Sequence, residues 1–202
     1  FSVNISAFAK TKVPDVKSFN EKSATSSSVT LKWDKVKNAK GYRVFMYDKK
    51  SGKYKSKGFF SDTEGTVSSL SPAKSYKFRI KAFIKENGKR VYSKNYASLT
   101  ALTATEKVNN VKVSQKKKTS FVLSWDKTKG ADGYIVQRFN IEKDKWYDYK
   151  STEKSSLTIK KEGSYRVIAY REYKGMKIRS AASKSISGKF KYVYSEKGTF
   201  TF

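Results

Sequence analysis

The chain contains no histidine and no cysteine. Histidine is the usual general base and metal ligand near neutral pH, so a Ser-His-Asp triad and a histidine-held metal are excluded. A thiol nucleophile, thiolate zinc sites and a disulfide framework go with the cysteines. The 17 Asp and Glu are mostly scattered singly among lysines, as surface counter-charges would be. No Asp-rich calcium loop, Gly-rich phosphate cradle or nucleophile elbow is spelled out. The expectation is therefore no catalysis, no cofactor and no metal. What remains is the chemistry of contact, carried by aromatic rings and cations.

Three stretches qualify. Trp146-Tyr147-Asp148-Tyr149 places three rings in four residues. If the stretch alternates as a strand, only one face is buried, so either Trp146 or Tyr147 with Tyr149 leans outward. Edge-strand packing is the plainer alternative for these rings. Arg171 and Tyr173 lie in Tyr170-Arg171-Glu172-Tyr173-Lys174-Gly175, and Lys85 and Lys89 in Ile84-Lys85-Glu86-Asn87-Gly88-Lys89. Both segments also read as solvated hairpins. The run Lys116-Lys117-Lys118 fits a solvated turn, and nothing suggests base-specific contacts, so nucleic acid is not an expected partner.

The elements that carry these residues come from a duplication. Residues 33–44 read W-D-K-V-K-N-A-K-G-Y-R-V, and residues 125–136 read W-D-K-T-K-G-A-D-G-Y-I-V. Eight of the twelve positions match without a gap, Trp, Gly and Tyr among them. Apolar residues inside each copy recur every second position: Val29, Leu31 and Trp33; Tyr42, Val44 and Met46; Phe78, Ile80 and Ala82. The second copy offers Phe121, Leu123 and Trp125; Tyr134, Val136 and Arg138; Tyr165, Val167 and Ala169. This period predicts strands with one buried face and Lys or Arg on the other. Turns are expected at Lys50-Ser51-Gly52, Glu64-Gly65, Asn87-Gly88 and Lys174-Gly175. Trp33 and Trp125, at strand ends, read as core residues rather than sugar platforms.

The formal net charge is +28. Residues 13–104 hold 20 basic and 7 acidic side chains, and residues 105–188 hold 20 and 9. Charge so evenly spread suits loose contact with anionic polymers better than a shaped nucleic-acid groove. No apolar run reaches the roughly 20 residues that a membrane helix needs. Ala7-Phe8-Ala9 is spelled like the end of a signal peptide, and the missing initial Met suggests a piece of a longer, monomeric chain. A cysteine-free exported protein suits a Gram-positive bacterium.

The ordered motifs resemble fibronectin type III modules over nearly all of residues 13–188. They are Pro14 at the opening strand, Trp33, Gly41-Tyr42-Arg43-Val44, the corner Leu70-Ser71-Pro72-Ala73-Lys74-Ser75-Tyr76, and Phe78-Arg79-Ile80-Lys81-Ala82. In the second copy Gly163 falls where the corner tyrosine belongs, so that feature is expected to be missing there. The resemblance implies an all-β chain of two tandem immunoglobulin-like sandwiches. The expected division is an N-terminal segment (1–12), two modules (13–104 and 105–188), and a tail (189–202) that adds a strand or begins another domain. The Lys-rich, Cys-free character is similar to repeats in exported proteins of Firmicutes, which serve as spacers, adhesion units or accessories of carbohydrate-active enzymes. The expected function is non-catalytic extracellular contact with a host protein, glycan or anionic polymer.

Overall fold

A computed structural model describes residues 12–191. The alternations Phe1, Val3, Ile5 and Tyr192, Tyr194, Phe200, Phe202, and the Ala7-Phe8-Ala9 pattern, lie outside the described residues. Every regular element among the described residues is a β-strand. Two compact units divide the chain, with the changeover between Leu102 and Thr103.

In the first unit, β1 (Asn20–Ala24), β2 (Val29–Lys32) and β5 (Glu64–Val67) form a three-stranded sheet. The larger sheet is ordered β4 (Lys53–Phe60), β3 (Gly41–Asp48), β6 (Ser75–Glu86) and β7 (Lys89–Tyr92), and β8 (Ala97–Leu102) also pairs with β6. The two sheets enclose the predicted alternating residues. Val29, Leu31, Val44, Phe78, Ile80 and Ala82 are completely buried, and each of the larger ones stabilises the fold by roughly 1.5–3 kcal/mol. Trp33 meets Phe19, Tyr42 and Phe60 edge to face.

The duplicated motif has a physical reason. The Tyr42 hydroxyl accepts from the Val36 N–H at 2.8 Å, and the Tyr134 hydroxyl accepts from the Thr128 N–H at 2.8 Å. Each tyrosine packs on the tryptophan of its own motif, with centroids 5.3 Å apart, and ties the intervening loop with its hydroxyl. The glycine before each tyrosine makes room for a ring from the neighbouring strand. A Cβ on Gly41 would stand 2.8 Å from the Phe83 ring, and one on Gly133 would stand 2.5 Å from the Tyr170 hydroxyl.

The second unit repeats this order. Its small sheet is β13 (Ser156–Ile159), β10 (Phe121–Ser124) and β9 (Lys112–Ser114). Its larger one is β12 (Lys145–Thr152), β11 (Gly133–Asn140), β14 (Gly163–Tyr173) and β15 (Met176–Arg179), with β16 (Ile186–Gly188) also on β14. Beyond β16, Phe190 packs against Phe121 and the Lys191 N–H bonds the Lys117 carbonyl at 3.0 Å.

Three expectations are corrected. Glu64 and Gly65 are not a turn but lie inside β5; a Cβ on Gly65 would stand 2.4 Å from the Phe60 ring, so this glycine marks a close approach. Pro14 lies in an irregular segment ahead of β1, although Val13 and Val16 beside it are buried. The second unit does have a corner tyrosine, two residues past Gly163. The Tyr165 ring is fully buried, and its hydroxyl donates to the Lys161 carbonyl at 2.6 Å, the four-residue reach that this corner requires. In the first unit Tyr76 packs against the core beside Phe78.

Candidate functional site

Strand alternation that buries Tyr42, Val44 and Met46 turns Arg43, Phe45 and Tyr47 outward on β3; on β6 it turns out Lys77, Arg79, Lys81 and Phe83. These positions interleave rings with cations across the outer face of the first unit's larger sheet. The Arg43 guanidinium lies 4.9 Å from the Phe45 centroid and 5.0 Å from that of Phe59, and its Nε donates to Ser56 Oγ at 3.0 Å. Arg79 stands over Tyr54 at 4.0 Å and Tyr96 at 5.5 Å. Arg90 covers Phe59 at 4.3 Å and Phe83 at 5.3 Å, and Lys81 lies 4.3 Å over Tyr96. Phe59 and Tyr96 nevertheless remain 47% and 45% exposed.

Three ion pairs join described residues: Lys22–Glu64, Lys55–Asp48 and Arg179–Asp148. None includes Arg43, Arg79 or Arg90. Two carboxylates of the first unit, those of Asp48 and Asp15, are engaged elsewhere. Asp48 is held at a pKa of about 2 by hydrogen bonds from Lys55, Ser51 and the Lys50 N–H. Asp15 accepts from the Asn95 N–H and Nδ2, both at 2.8 Å, which lowers its pKa; more distant charges, Lys81 among them, add to this. Stacking on a ring fixes a guanidinium plane and leaves its N–H edge free, with each exposed cation–π contact worth about 0.5–1 kcal/mol. The face therefore offers fixed donors without fixed counter-ions.

The second unit fills the same face differently. Ile135, Ile168 and Tyr170 are buried together, with Ala182 against them. Gln137 Nε2 donates to Asp148 Oδ1 at 2.8 Å, and Arg166 Nε donates to Gln137 Oε1 at 2.7 Å. Arg179 grips both Asp148 oxygens at 3.2 and 2.8 Å. Partial burial opposes ionisation of Asp148, but the bonds from Gln137 and Arg179 outweigh it and hold the carboxyl below its usual range. Arg166 also covers Trp146 at 4.4 Å.

The residues singled out from sequence do not form one cluster. Trp146 pairs with Phe139 at one end of β11 and is half-buried on the outer face. Of the two alternatives for these rings, Trp146 is the one on the outer face and Tyr149, left unpaired by a register shift between Val136 and Gln137, turns onto the core against Tyr165, while Tyr147 stays exposed. Arg171 and Tyr173 lie at the opposite end of this sheet, past the last β11–β14 pair at Gly133 and Tyr170. Arg171 Nη1 is buried without a hydrogen-bond partner among the described residues, and Lys174 stands 5.4 Å over the Tyr173 ring. Lys85 and Lys89 are exposed beside the β6–β7 turn of the first unit. Outward Lys and Arg on a strand also serve solubility, so alternation alone does not mark this interleaved face. Its signal was present: outward positions 43, 45, 47, 77, 79, 81 and 83 are all cationic or aromatic.

Residues 14–97 match the model of the fibronectin type III domain. The match spans most of the first unit, and the second unit repeats its sheet order. Among solved structures, the FN1-FN3 segment of chicken CNTN1 is 14% identical, with 90% of this chain and 69% of that chain covered at a TM-score of 0.50; the fold is shared. A two-domain fibronectin type III segment of chicken tenascin is 17% identical over 86% of this chain and 97% of that one, at 0.41. The fn3 domain of the human collagen alpha-1(XX) chain is 16% identical over 50% and 94%, at 0.39. No curated protein matches the chain. Domains of this kind are generally non-catalytic binding or spacer modules.

Proposed function

We propose that the chain is a non-catalytic contact module of an exported bacterial surface protein, meeting an anionic cell-surface polymer or host protein. The contact is made through the outer face of the larger sheet in the first unit. One observation carries this reading: Arg43, Arg79 and Arg90 share a face on which, among the described residues, no carboxylate pairs with any of them. The net charge of +28 supports it, because a strong positive field draws anionic partners in and speeds encounter. A cysteine-free chain fits export by a Gram-positive-type cell. The exposed Tyr147, with Lys143 at 6.0 Å, makes a smaller second contact of the same kind.

Binding of the whole chain to a dextran sulfate surface, measured against salt, tests the proposal. Charge-driven affinity falls log-linearly with salt. Changing Arg43, Arg79 and Arg90 to Ser should flatten the slope by about three, roughly one unit per lost contact. Changing three exposed lysines of the second unit, Lys129, Lys145 and Lys154, removes the same charge and should flatten it by less than one. Equal slopes for the two triple variants would reject this face as the contact.

A further inference from the structure

All seven arginines of the chain lie on strands of the two larger sheets, at positions 43, 79, 90, 138, 166, 171 and 179, while the lysines are spread throughout. A chain that needed only positive charge had lysine available everywhere. Arginine differs in its flat, delocalised fork, which stacks on rings and grips a planar oxyanion with two parallel bonds. In the second unit Arg138 and Arg179 spend those bonds inside the protein, on the Glu162 carbonyl and the Asp148 carboxylate, and Arg166 gives one to Gln137. In the first unit Arg43, Arg79 and Arg90 are stacked and lack a carboxylate.

We propose that this face binds an acidic polysaccharide whose carboxylates are carried on its sugar rings, with Arg43, Arg79 and Arg90 gripping the carboxylates and Phe59 and Tyr96 touching the sugars. The assignment deepens the function proposed above and rests on it. Size argues for a polymer segment over a folded protein. Four strands about 4.8 Å apart and residues 77–85, the last of them opposite Arg90, at about 3.4 Å each give a face of roughly 15 by 27 Å. That is well under the about 800 Å² that each partner gives to a standard protein interface. Ring coverage argues against nucleic acid. Bases bind by stacking on open ring faces, and here Arg43 and Arg90 crowd Phe59 while Arg79 and Lys81 crowd Tyr96. The partner therefore meets guanidinium edges first.

The test is calorimetric titration of the whole chain at about 0.15 M salt, where exposed charges beyond about 8 Å are screened. The probes are polygalacturonate, polyglutamate, inorganic polyphosphate and an oligothymidylate, matched in total charge. Polygalacturonate should bind at least tenfold tighter than the other three. The variant Arg43→Lys with Arg79→Lys and Arg90→Lys keeps the net charge and should lose about tenfold on polygalacturonate while changing little on polyphosphate. Its melting curve is compared with the parent's, and the single Arg90→Lys, at an exposed site, supplies a version in which folding is not at issue; it should lose two- to threefold. Unchanged affinity in the triple lysine variant would overturn the guanidinium reading yet leave the charge-driven function standing. Equal or tighter binding of polyphosphate or oligothymidylate would overturn it in favour of a phosphate polymer, and of polyglutamate in favour of an acidic protein. The function proposed above fails separately, through its own serine variants.

Discussion

The two outer faces differ where the two inner faces agree. Arg43 and Ile135 occupy equivalent places after the duplicated Gly-Tyr, yet Arg43 lies over Phe45 and Phe59 whereas Ile135 is buried with Ile168 and Tyr170. Arg79 of the first unit has no carboxylate partner, while Arg179 of the second holds one at 2.8 Å. On the inner side Leu31 and Leu123, Val44 and Val136, and Ala82 and Ala169 are all fully buried. A buried face constrains its residues through packing density, where even one methylene is felt. A solvated face is free to diverge, and one copy here has closed its polar groups on each other while the other has left them open.

Truncation inside each core gives the sharpest check on that parity. Leu31→Ala and Leu123→Ala should each destabilise their own unit by about 2–5 kcal/mol, and by similar amounts, because both sites are completely buried at matching register. Urea unfolding of each variant reads this out. A loss below about 1 kcal/mol in one unit only would show that the two cores are not packed alike.

The corner tyrosine is where the cores should part. Tyr165→Phe keeps the ring and removes the bond to the Lys161 carbonyl, and should cost about 1 kcal/mol, the usual net worth of such a bond. Burial pushes the Tyr165 hydroxyl up to about 12, above its ordinary value of 10. A group that holds its proton more tightly when folded stabilises fully below pH 10 and loses that contribution as pH climbs towards 12. Unfolding of the second unit should therefore steepen with pH over that window, and Tyr165→Phe should remove this part of the slope. Phe78, the residue at the matching position of the first unit, carries no hydroxyl and sets the baseline. Identical alkaline slopes in parent and variant would refute the assignment.

The inner faces were legible because burial writes itself into every second residue: Val29, Leu31 and Trp33 can be read without knowing their neighbours. Glycine is more ambiguous. At Gly88 and Gly175 it follows another positive-φ residue in a two-residue hairpin turn, while at Gly65 it makes space for Phe60, and both uses look alike in a string of letters. Tyr165 is hidden from a position-by-position alignment, because any tyrosine on the same face and near the same bend can reach a carbonyl. The outer face needed cross-strand neighbours. Arg79 becomes part of a site only once β4 brings Tyr54 and the residue before β8 brings Tyr96 beside it, contacts distant in sequence. The rings of β12 needed neighbours too: alternation alone does not say that Tyr149 reaches Tyr165 while Tyr147 stays exposed.

If the difference between the outer faces lies in counter-ions, removing one counter-ion should make the second unit resemble the first. Asp148→Ala frees Arg179 and one end of Gln137. Because the pair is exposed, its loss should cost the fold less than about 1 kcal/mol. Affinity for dextran sulfate should nevertheless rise two- to threefold, about 0.4–0.6 kcal/mol, as Arg179 joins the other unpaired arginines. Acid should act in the same direction: the carboxyl of Asp148 sits below its ordinary 3.8, so Arg179 stays engaged until pH falls through that lower value, while the sulfates of the probe remain charged. A parent chain that gains more binding than the Asp148→Ala chain as pH falls below the ordinary 3.8 would tie the contrast to this one carboxylate. Matching pH profiles in the two chains would place the difference between the faces elsewhere, in the apolar group of Ile135, Ile168 and Tyr170 that the first unit lacks.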